Sequence, residues 1–506
     1  MTGVLFVISS ALVAHVLTSH FGFSPTDEGF ILAGSRRILD GQVPHRDFIS
    51  VRPVLSHVLH IPELVLGRDH CLLLSRFVFW LEMAAISWVW VAMLKVPNAV
   101  PSAVIALALS AQLFPAMAWH TVDALLLASV GIFLAPAPFG YLLLGLAPLC
   151  RLNFVFLLPL AFVATRDAAS ALTLLPAAVY AAAVALLGGW NDLVAQLAAY
   201  GGRKAVATGI RGYLNRWTAA GAVIGGGLVL GHVRIWPLAL ALFALPLALR
   251  GHVIAGSFVG FGAAAGAVAA TRDVALGFPV AVAWVSSLSI GYPWPALLFG
   301  PLALMGLPAT PTAVLAWAAA AATAALVVVA RWRFPYRDLP AWTTRAPLGD
   351  ALPGGKGICC REAVRSLFAD LDEVRREISA SGARYAIVPD LSAHWIRSAQ
   401  QNPLPSDWPQ DVELATSDLL DRCTRALASA APIDVLIQRW SYRDPAGELT
   451  AVAPMQSVVT EVRRRGEMIG ISGYFERWRV PGPSASCRQL DPEGLVNVQP
   501  KGEAEL

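Results

Sequence analysis

The chain has 506 residues, of which 56% are hydrophobic and only 14% charged, and its mean hydropathy is +0.59. These values lie far from those of an ordinary soluble domain and indicate a polytopic membrane protein. The net charge of +4 comes without an Arg/Lys stripe interleaved with aromatic residues, which speaks against a nucleic-acid partner. Charge is also uneven: well over half of the Asp, Glu, Lys and Arg residues follow Arg331. The composition therefore divides the chain into a membrane domain over residues 1–331, a soluble domain over 332–480 and a tail over 481–506 that loses apolar periodicity and reads as disordered.

A helix that crosses a bilayer needs about 20 apolar residues. In chain order, the first apolar stretch is Gly3 to Ser19, which has neither a basic leader nor a small-residue cleavage site and so reads as a retained span. After a charged loop over 20–70 come Leu72 to Leu94, Val96 to Val122, Ala124 to Leu134, Phe139 to Cys150, the short Leu152 to Thr165 and Ala168 to Gly188. Trp217 to Leu230, Ile235 to Leu249 and Val253 to Ala270 follow, and Val274 to Ala330, free of charge, divides at its Pro/Gly breakers into about three helices. The count is about 13 membrane helices, with no internal repeat. With a cytoplasmic amino terminus, an odd count puts the loop over 20–70 and the soluble domain outside together, whereas Arg331, Arg333 and Arg337 argue the other way by the positive-inside rule.

The soluble part reads as a small α/β domain. An amphipathic helix over Glu362 to Ser381 leads to a strand over Arg384 to Asp390. A helix from Leu414 to Ala428 precedes a strand from Ile433 to Arg439, and a helix from Met455 to Arg465 leads to a strand from Tyr474 to Val480. No phosphate-binding Gly-rich loop or nucleophile motif occurs there, so the domain is expected to orient an acceptor or cover a site. Asn402 to Trp408 reads as a loop, either over the membrane domain or, more simply, on the surface. Cys71 and Cys150 sit in apolar surroundings, while Cys359, Cys360, Cys423 and Cys487 match no zinc spacing and permit disulfides without requiring them.

Chemistry is concentrated in the first loop. Asp27 and Glu28 stand where the chain leaves the first span, a costly place for two acids that serve no purpose. Phe30, Ile31, Leu32, Ile38 and Leu39 recur at helical spacing and predict a short amphipathic helix along the membrane surface. Gly41 to Pro44 turns the chain, and Arg46, Asp47 and Arg52-Pro53 follow before a second apolar patch.

The run Asp27-Glu28-Gly29, then Gly41-x-x-Pro44-x-Arg46-Asp47-Phe48, then Arg52-Pro53 resembles the first-loop signature of bacterial GT-C glycosyltransferases of the RgtA/B/C/D-like group, relatives of protein mannosyltransferases and aminoarabinose transferases. His120-Thr-Val-Asp123-Ala-Leu resembles the acid that opens that family's fourth helix. Gly145-Leu-Ala-Pro-Leu-Cys-Arg151 resembles its short G-L-A-x-L-x-K helix end, with arginine in place of lysine. The likeness covers roughly the first 165 residues by motif. It implies a GT-C fold in the bacterial plasma membrane and a polyprenyl-phosphate sugar as donor, with a glycan, lipid or protein as acceptor.

On that resemblance Asp27, or less readily Glu28, is the base that takes the proton from the attacking acceptor hydroxyl, with inversion at the anomeric carbon. Arg151 answers the lipid phosphate, and Asp123, Arg46, Asp47, Arg52, Arg203 and Lys204 complete the candidate substrate-binding set. No metal site is assigned; a divalent cation stays open as a cofactor. Simpler roles stand beside these. Asp27 or Thr26 can cap the following helix, Asp123 can be a first-turn acid, Arg151 can snorkel, the Arg203 to Arg216 group can be a solvated face, and Glu82 can bond a neighbouring helix. Two other functions compete: a transporter or flippase of lipid-linked sugars, and an inactive GT-C scaffold.

Overall fold

A computed structural model describes residues 1–110, 114–199, 210–230, 253–271, 274–288, 338–439 and 456–482, with parts of 318–335. The chain is predominantly helical and carries one small sheet domain. The helices are α1 (Thr2–Thr18), α2 (Phe30–Leu39), α3 (Leu55–Leu59), α4 (Ile61–Gly67), α5 (Cys71–Met93), α6 (Ala99–Ser110), α7 (His120–Leu134) and α8 (Pro138–Cys150). They continue with α9 (Leu157–Thr165), α10 (Leu175–Leu186), α11 (Trp190–Ala199), α12 (Arg216–Leu230), α13 (Val253–Thr271) and α14 (Val274–Ser287).

Most of the predicted apolar stretches that fall in the described residues are helical, with shifted ends. Val96 to Val122 does not: α6 stops at Ser110, and α7 starts only at His120 behind an extended Trp119. Leu152 to Thr165 and Ala168 to Gly188 each begin as a tighter 3-10 turn before becoming α-helix. Among the described residues two helical stretches, Leu55–Met93 and Ala168–Leu186, are long and apolar enough to cross a membrane; other apolar helices run to 10–17 residues. The predicted span Ile235 to Leu249, most of the last three and the tail beyond residue 482 lie outside the described residues.

Small residues set how the helices meet. A Cβ on Gly225 of α12 would collide with the Ala263 carbonyl of α13, and one on Gly262 or Gly266 would strike the carbonyls of Thr218 or Ala222. The two backbones touch, as in helix pairs driven by close packing rather than by expulsion of water. Around α5 a second type of packing prevails: Phe79, Trp80, Trp90 and Val91 are buried with Ala103 and Ala106 of α6 and Ala124 and Ala128 of α7.

The sheet domain opens with β1 (Ala346–Pro347) paired antiparallel to β2 (Cys359–Cys360), then α15 (Glu362–Ala380). β3 (Arg384–Val388), α16 (Ser392–Trp395), α17 (Ser417–Ala430), β4 (Ile433–Gln438), α18 (Ser457–Arg465), β5 (Glu467–Ile471) and β6 (Phe475–Val480) follow. The four-stranded order is β3-β4-β6-β5, with β3 parallel to β4 and the other pairs antiparallel. The predicted helices and three strands are present. Edge strand β5 was not foreseen, because its exposed Met468, Ile469 and Ile471 give no alternation to read.

The first loop and this domain share their cores. Phe23, Leu32, Ala33 and Leu64 are buried with Leu367, Phe368, Tyr385, Trp395 and Phe475, while Ile49 and Val51 join Val388, Leu404, Leu427 and Ile433. The apolar face of α2, expected on a membrane surface, is therefore covered by protein. Backbone bonds stitch the same contact: Gly22 N–H donates to Cys359 O at 2.9 Å, Cys359 N–H to His20 O at 2.7 Å and Ile49 N–H to Pro405 O at 2.6 Å. The loop and the sheet domain thus lie together. Arg331 is buried, with its guanidinium 5.8 Å from the Trp80 ring and donating to Phe114 O.

Buried ion pairs fix the register of this contact. Arg37 of α2 donates to both oxygens of Asp407 through Nε and Nη2, at 2.6 and 2.7 Å, the side chains being only 5% and 6% exposed. Arg52 meets Glu413 at 2.6 Å. Removing one partner of such a pair strands the other charge, so Arg37→Met is expected to cost about 3–5 kcal/mol. Adding Asp407→Leu is expected to recover most of that; thermal unfolding of both variants in detergent checks it, and equal midpoints for Arg37→Met and wild type would refute the role.

Candidate active site

Residues 24–28 form a turn between α1 and α2, with Glu28 N–H donating to Ser24 O. Helix α2 is capped by Gly29, at φ 96°, and no side chain makes a cap bond. Asp27 is half-buried, and its charge is felt at Asp390 of the sheet domain.

Glu28 has another task. Arg76 of α5 donates to both of its oxygens at 2.7 Å and also reaches the Gly22 carbonyl at 2.6 Å, all in buried surroundings. Burial pushes the Glu28 carboxyl above its usual range against the pull of Arg76. The pair ties the loop to α5. Arg76, unnoticed within its apolar span, had a signal, since a lone arginine there demands an anionic partner.

Phe30, the first residue of α2, centres an aromatic cluster. Its ring lies 5.5 Å from Trp408, 5.9 Å from His57 and 6.0 Å from His120, with the Arg52 guanidinium 5.7 Å from its centroid. The loop containing Asn402 to Trp408 is thus part of the contact with the first loop rather than a free surface segment. Arg52, over the Phe30 ring, is held by Glu413.

Deeper among the helices, His60 bridges two acids. Its Nδ1 is 2.6 Å from Glu63 and its Nε2 is 3.1 Å from Asp123, all three side chains at most 3% exposed. Asp123 is indeed a first-turn acid of α7, but its carboxylate faces inward to this chain. Arg151 follows the last residue of α8, where a cation suits the helix end, and is 9% exposed with its charge felt at His120. Arg46 and Asp47 pair with one another at 2.8 Å on the exposed side, with Arg46 also holding the Leu187 carbonyl, so neither joins the Asp27 cluster. Arg203 and Lys204 lie outside the described residues. Among the described residues no three His, Cys, Asp or Glu side chains converge as a metal ion would need.

Across from Asp27, the sheet domain presents Asp390, two residues beyond the end of β3 and 4% exposed. Gln410 Nε2 donates to its Oδ2 at 2.7 Å. Burial, and then the negative charge of Asp27, push its carboxyl well above the usual carboxylate range. No spacing in the sequence links positions 27 and 390; only the fold brings them together. A separate apolar groove of about 310 Å³ between α1 and α6 is lined by Val13, Leu17, Trp80, Leu107 and Arg331.

No protein-family model matches the sequence, and no curated protein or solved structure is significantly similar to it.

The raised pKa of Asp390 has a sign. Between the ordinary carboxylate value and the raised one, the folded protein keeps a proton that the unfolded chain has released. Stability from this group is fully present below that window and is lost as pH rises through it. The unfolding temperature of the wild type is expected to fall with rising pH more steeply than that of Asp390→Asn. Asp27→Asn is expected to flatten the profile partly; parallel profiles for all three proteins would rule out the coupling.

Proposed function

We propose that the chain is an integral-membrane glycosyltransferase of the GT-C type. It moves a sugar from a polyprenyl-phosphate donor to an acceptor on the extracytoplasmic face of a bacterial plasma membrane, with Asp27 as the general base and inversion at the anomeric carbon. The observation that carries this reading is the position of Asp27, half-buried in the turn between α1 and α2 and close enough to Asp390 of the sheet domain for its charge to be felt there. A base that serves a lipid-linked donor and a water-soluble acceptor has to stand at such a boundary.

Other features agree with it. Close-packed glycine contacts between α12 and α13 suit a bilayer, and about 13 spans remain the proposed count. The groove ending at Arg331 has the form a prenyl chain with a terminal phosphate requires, so Arg331 joins Arg151 as a cation for the leaving phosphate. Departure of that phosphate completes the exchange: the acceptor oxygen bonds to the anomeric carbon, the bond to phosphate oxygen breaks, and the acceptor proton passes to Asp27.

Asp27→Asn is expected to lower transfer by about 10²–10⁴-fold with the donor still bound. Purified protein in nanodiscs, supplied with prenyl-phosphate sugars and envelope extract, provides the assay, and undiminished transfer would sink the assignment. Arg151→Ala and Arg331→Ala are each expected to raise the donor KM about tenfold or more while leaving the acceptor KM unchanged, consistent with loss of a charge-assisted contact; an unmoved donor KM counts against the residue concerned.

A second reading, a transporter of lipid-linked sugars, draws on the Glu63–His60–Asp123 chain, since buried acid–imidazole series serve proton-coupled carriers. Abolition of lipid-sugar translocation by His60→Gln, with Asp27→Asn silent, would favour it.

A further inference from the structure

We infer that a polar chamber beside the apolar groove receives the head of the lipid, with Ser24 donating to its phosphate, and that Glu28 sets the wall charge so that a singly charged phosphodiester is preferred over a doubly charged phosphomonoester. The inference rests on the proposed donor site at Arg331 and adds the means by which substrate is told from product. Two adjoining cavities carry it. The groove of about 310 Å³ lies between α1 and α6, and a polar cavity of about 30 Å³ is walled by Ser24, Glu28, Arg76 and Met117. Thr18 and Arg331 line both, so a hydrocarbon chain in the groove has its polar end beside the chamber.

The chamber suits an oxyanion. Ser24 lines it and is 2% exposed, and among the described residues its Oγ makes no hydrogen bond. Buried polar groups are nearly always satisfied, so a hydroxyl left open on a polar cavity marks a place for a ligand oxygen. Arg76 and Arg331, both buried, supply positive charge. Arg76 commits its N–H groups to both Glu28 oxygens and to the carbonyls of Ser19 and Gly22, so it acts through its field while Ser24 makes the contact. At about 10–15 Å³ per water the space is that of about two waters, enough for the oxygens of one phosphate group. Ser24 precedes Asp27 by three residues in one turn, which keeps the phosphate and the base on the same short segment.

Charge then sorts the ligands. Two guanidinium groups and one carboxylate line the chamber, which gives its walls one net positive charge. Asp338, whose charge reaches Glu28, is itself paired with Arg361 at 3.5 Å. A phosphodiester brings one negative charge and leaves the site neutral. A phosphomonoester, with a second pKa of about 6, brings close to two at pH 8, and the excess is buried without a counter-ion. The donor is a phosphodiester and the departing lipid a phosphomonoester, so the Glu28 carboxylate favours entry of the first and exit of the second. The groove is at the small end of ligand cavities and takes one hydrocarbon chain, as a prenyl phosphate has and a two-chain phospholipid does not.

The test measures binding alone, with the full chain in phosphatidylcholine nanodiscs and three probes that carry no sugar: farnesyl methyl phosphate, a diester; farnesyl phosphate, a monoester; and farnesol. At pH 8 the wild type is expected to bind the diester about fivefold or more tightly than the monoester, and farnesol weakest. Ser24→Ala is expected to weaken both phosphates by about 3–10-fold and to leave farnesol unmoved. Glu28→Gln is expected to tighten the monoester and remove the preference, and Val13→Trp, which fills the groove, to weaken all three probes. Equal affinity of the wild type for diester and monoester, or unchanged binding of both phosphates by Ser24→Ala, overturns the chamber even if Glu28→Gln fails to fold. Phosphatidylglycerol nanodiscs are expected to leave the order of affinities unchanged; loss of diester binding there assigns the groove to a bilayer phospholipid and overturns the proposal. The base assignment fails separately: the expected binding pattern together with full transfer by Asp27→Asn leaves the chamber standing and removes Asp27 as base.

Discussion

The organisation of this protein depends on one contact, the burial of its first loop in the core of a domain encoded more than 300 residues later. Phe23, Leu32, Ile49 and Val51 are not covered by neighbours in sequence; they are covered by Leu367, Phe368, Val388 and Leu404. The hydrophobic burial supplies the driving force, whereas Arg37–Asp407 and Arg52–Glu413 select the alignment, because a slip would leave charges buried without partners. Asp27 owes its position to this alignment. Its turn is held from below by Glu28–Arg76 and from above by the close approach of Gly29 to Ala393.

Much of the fold could be read from the chain, and the reasons differ by region. The sheet domain was legible because α15 and α17 alternate apolar and charged residues at helical spacing and β4 is an unbroken buried run. Edge strand β5 was not, since one face of an exposed edge carries no hydrophobic demand. Among the described helices before residue 331 composition located the segments but not their interruptions. The break between α6 and α7 lies within uniformly apolar sequence, where periodicity is silent.

The candidate site was legible only in part. The acidic pair at positions 27 and 28 stood out by its place at a boundary, but the two acids differ in a way that only their neighbours reveal: Arg76 takes both oxygens of Glu28. Asp123 and His60 are 63 positions apart and join through packing of α7 against the helices before it. Asp390 and Trp408 carry no local motif at all. They come beside Thr26 and Asp27 only in the folded molecule.

The pairing of His20 and Gly22 with Cys359 has a bearing on how the protein is made. Contacts that span so much chain form late, after the intervening segments have been synthesised. Until the carboxyl-terminal domain emerges, Phe23 and Leu32 have no cover, and the turn that bears Asp27 has no fixed shape. The seam between loop and domain is then the last part of this contact to close, and a chain in which the two partners failed to meet would keep its helices and lose the shape of that turn.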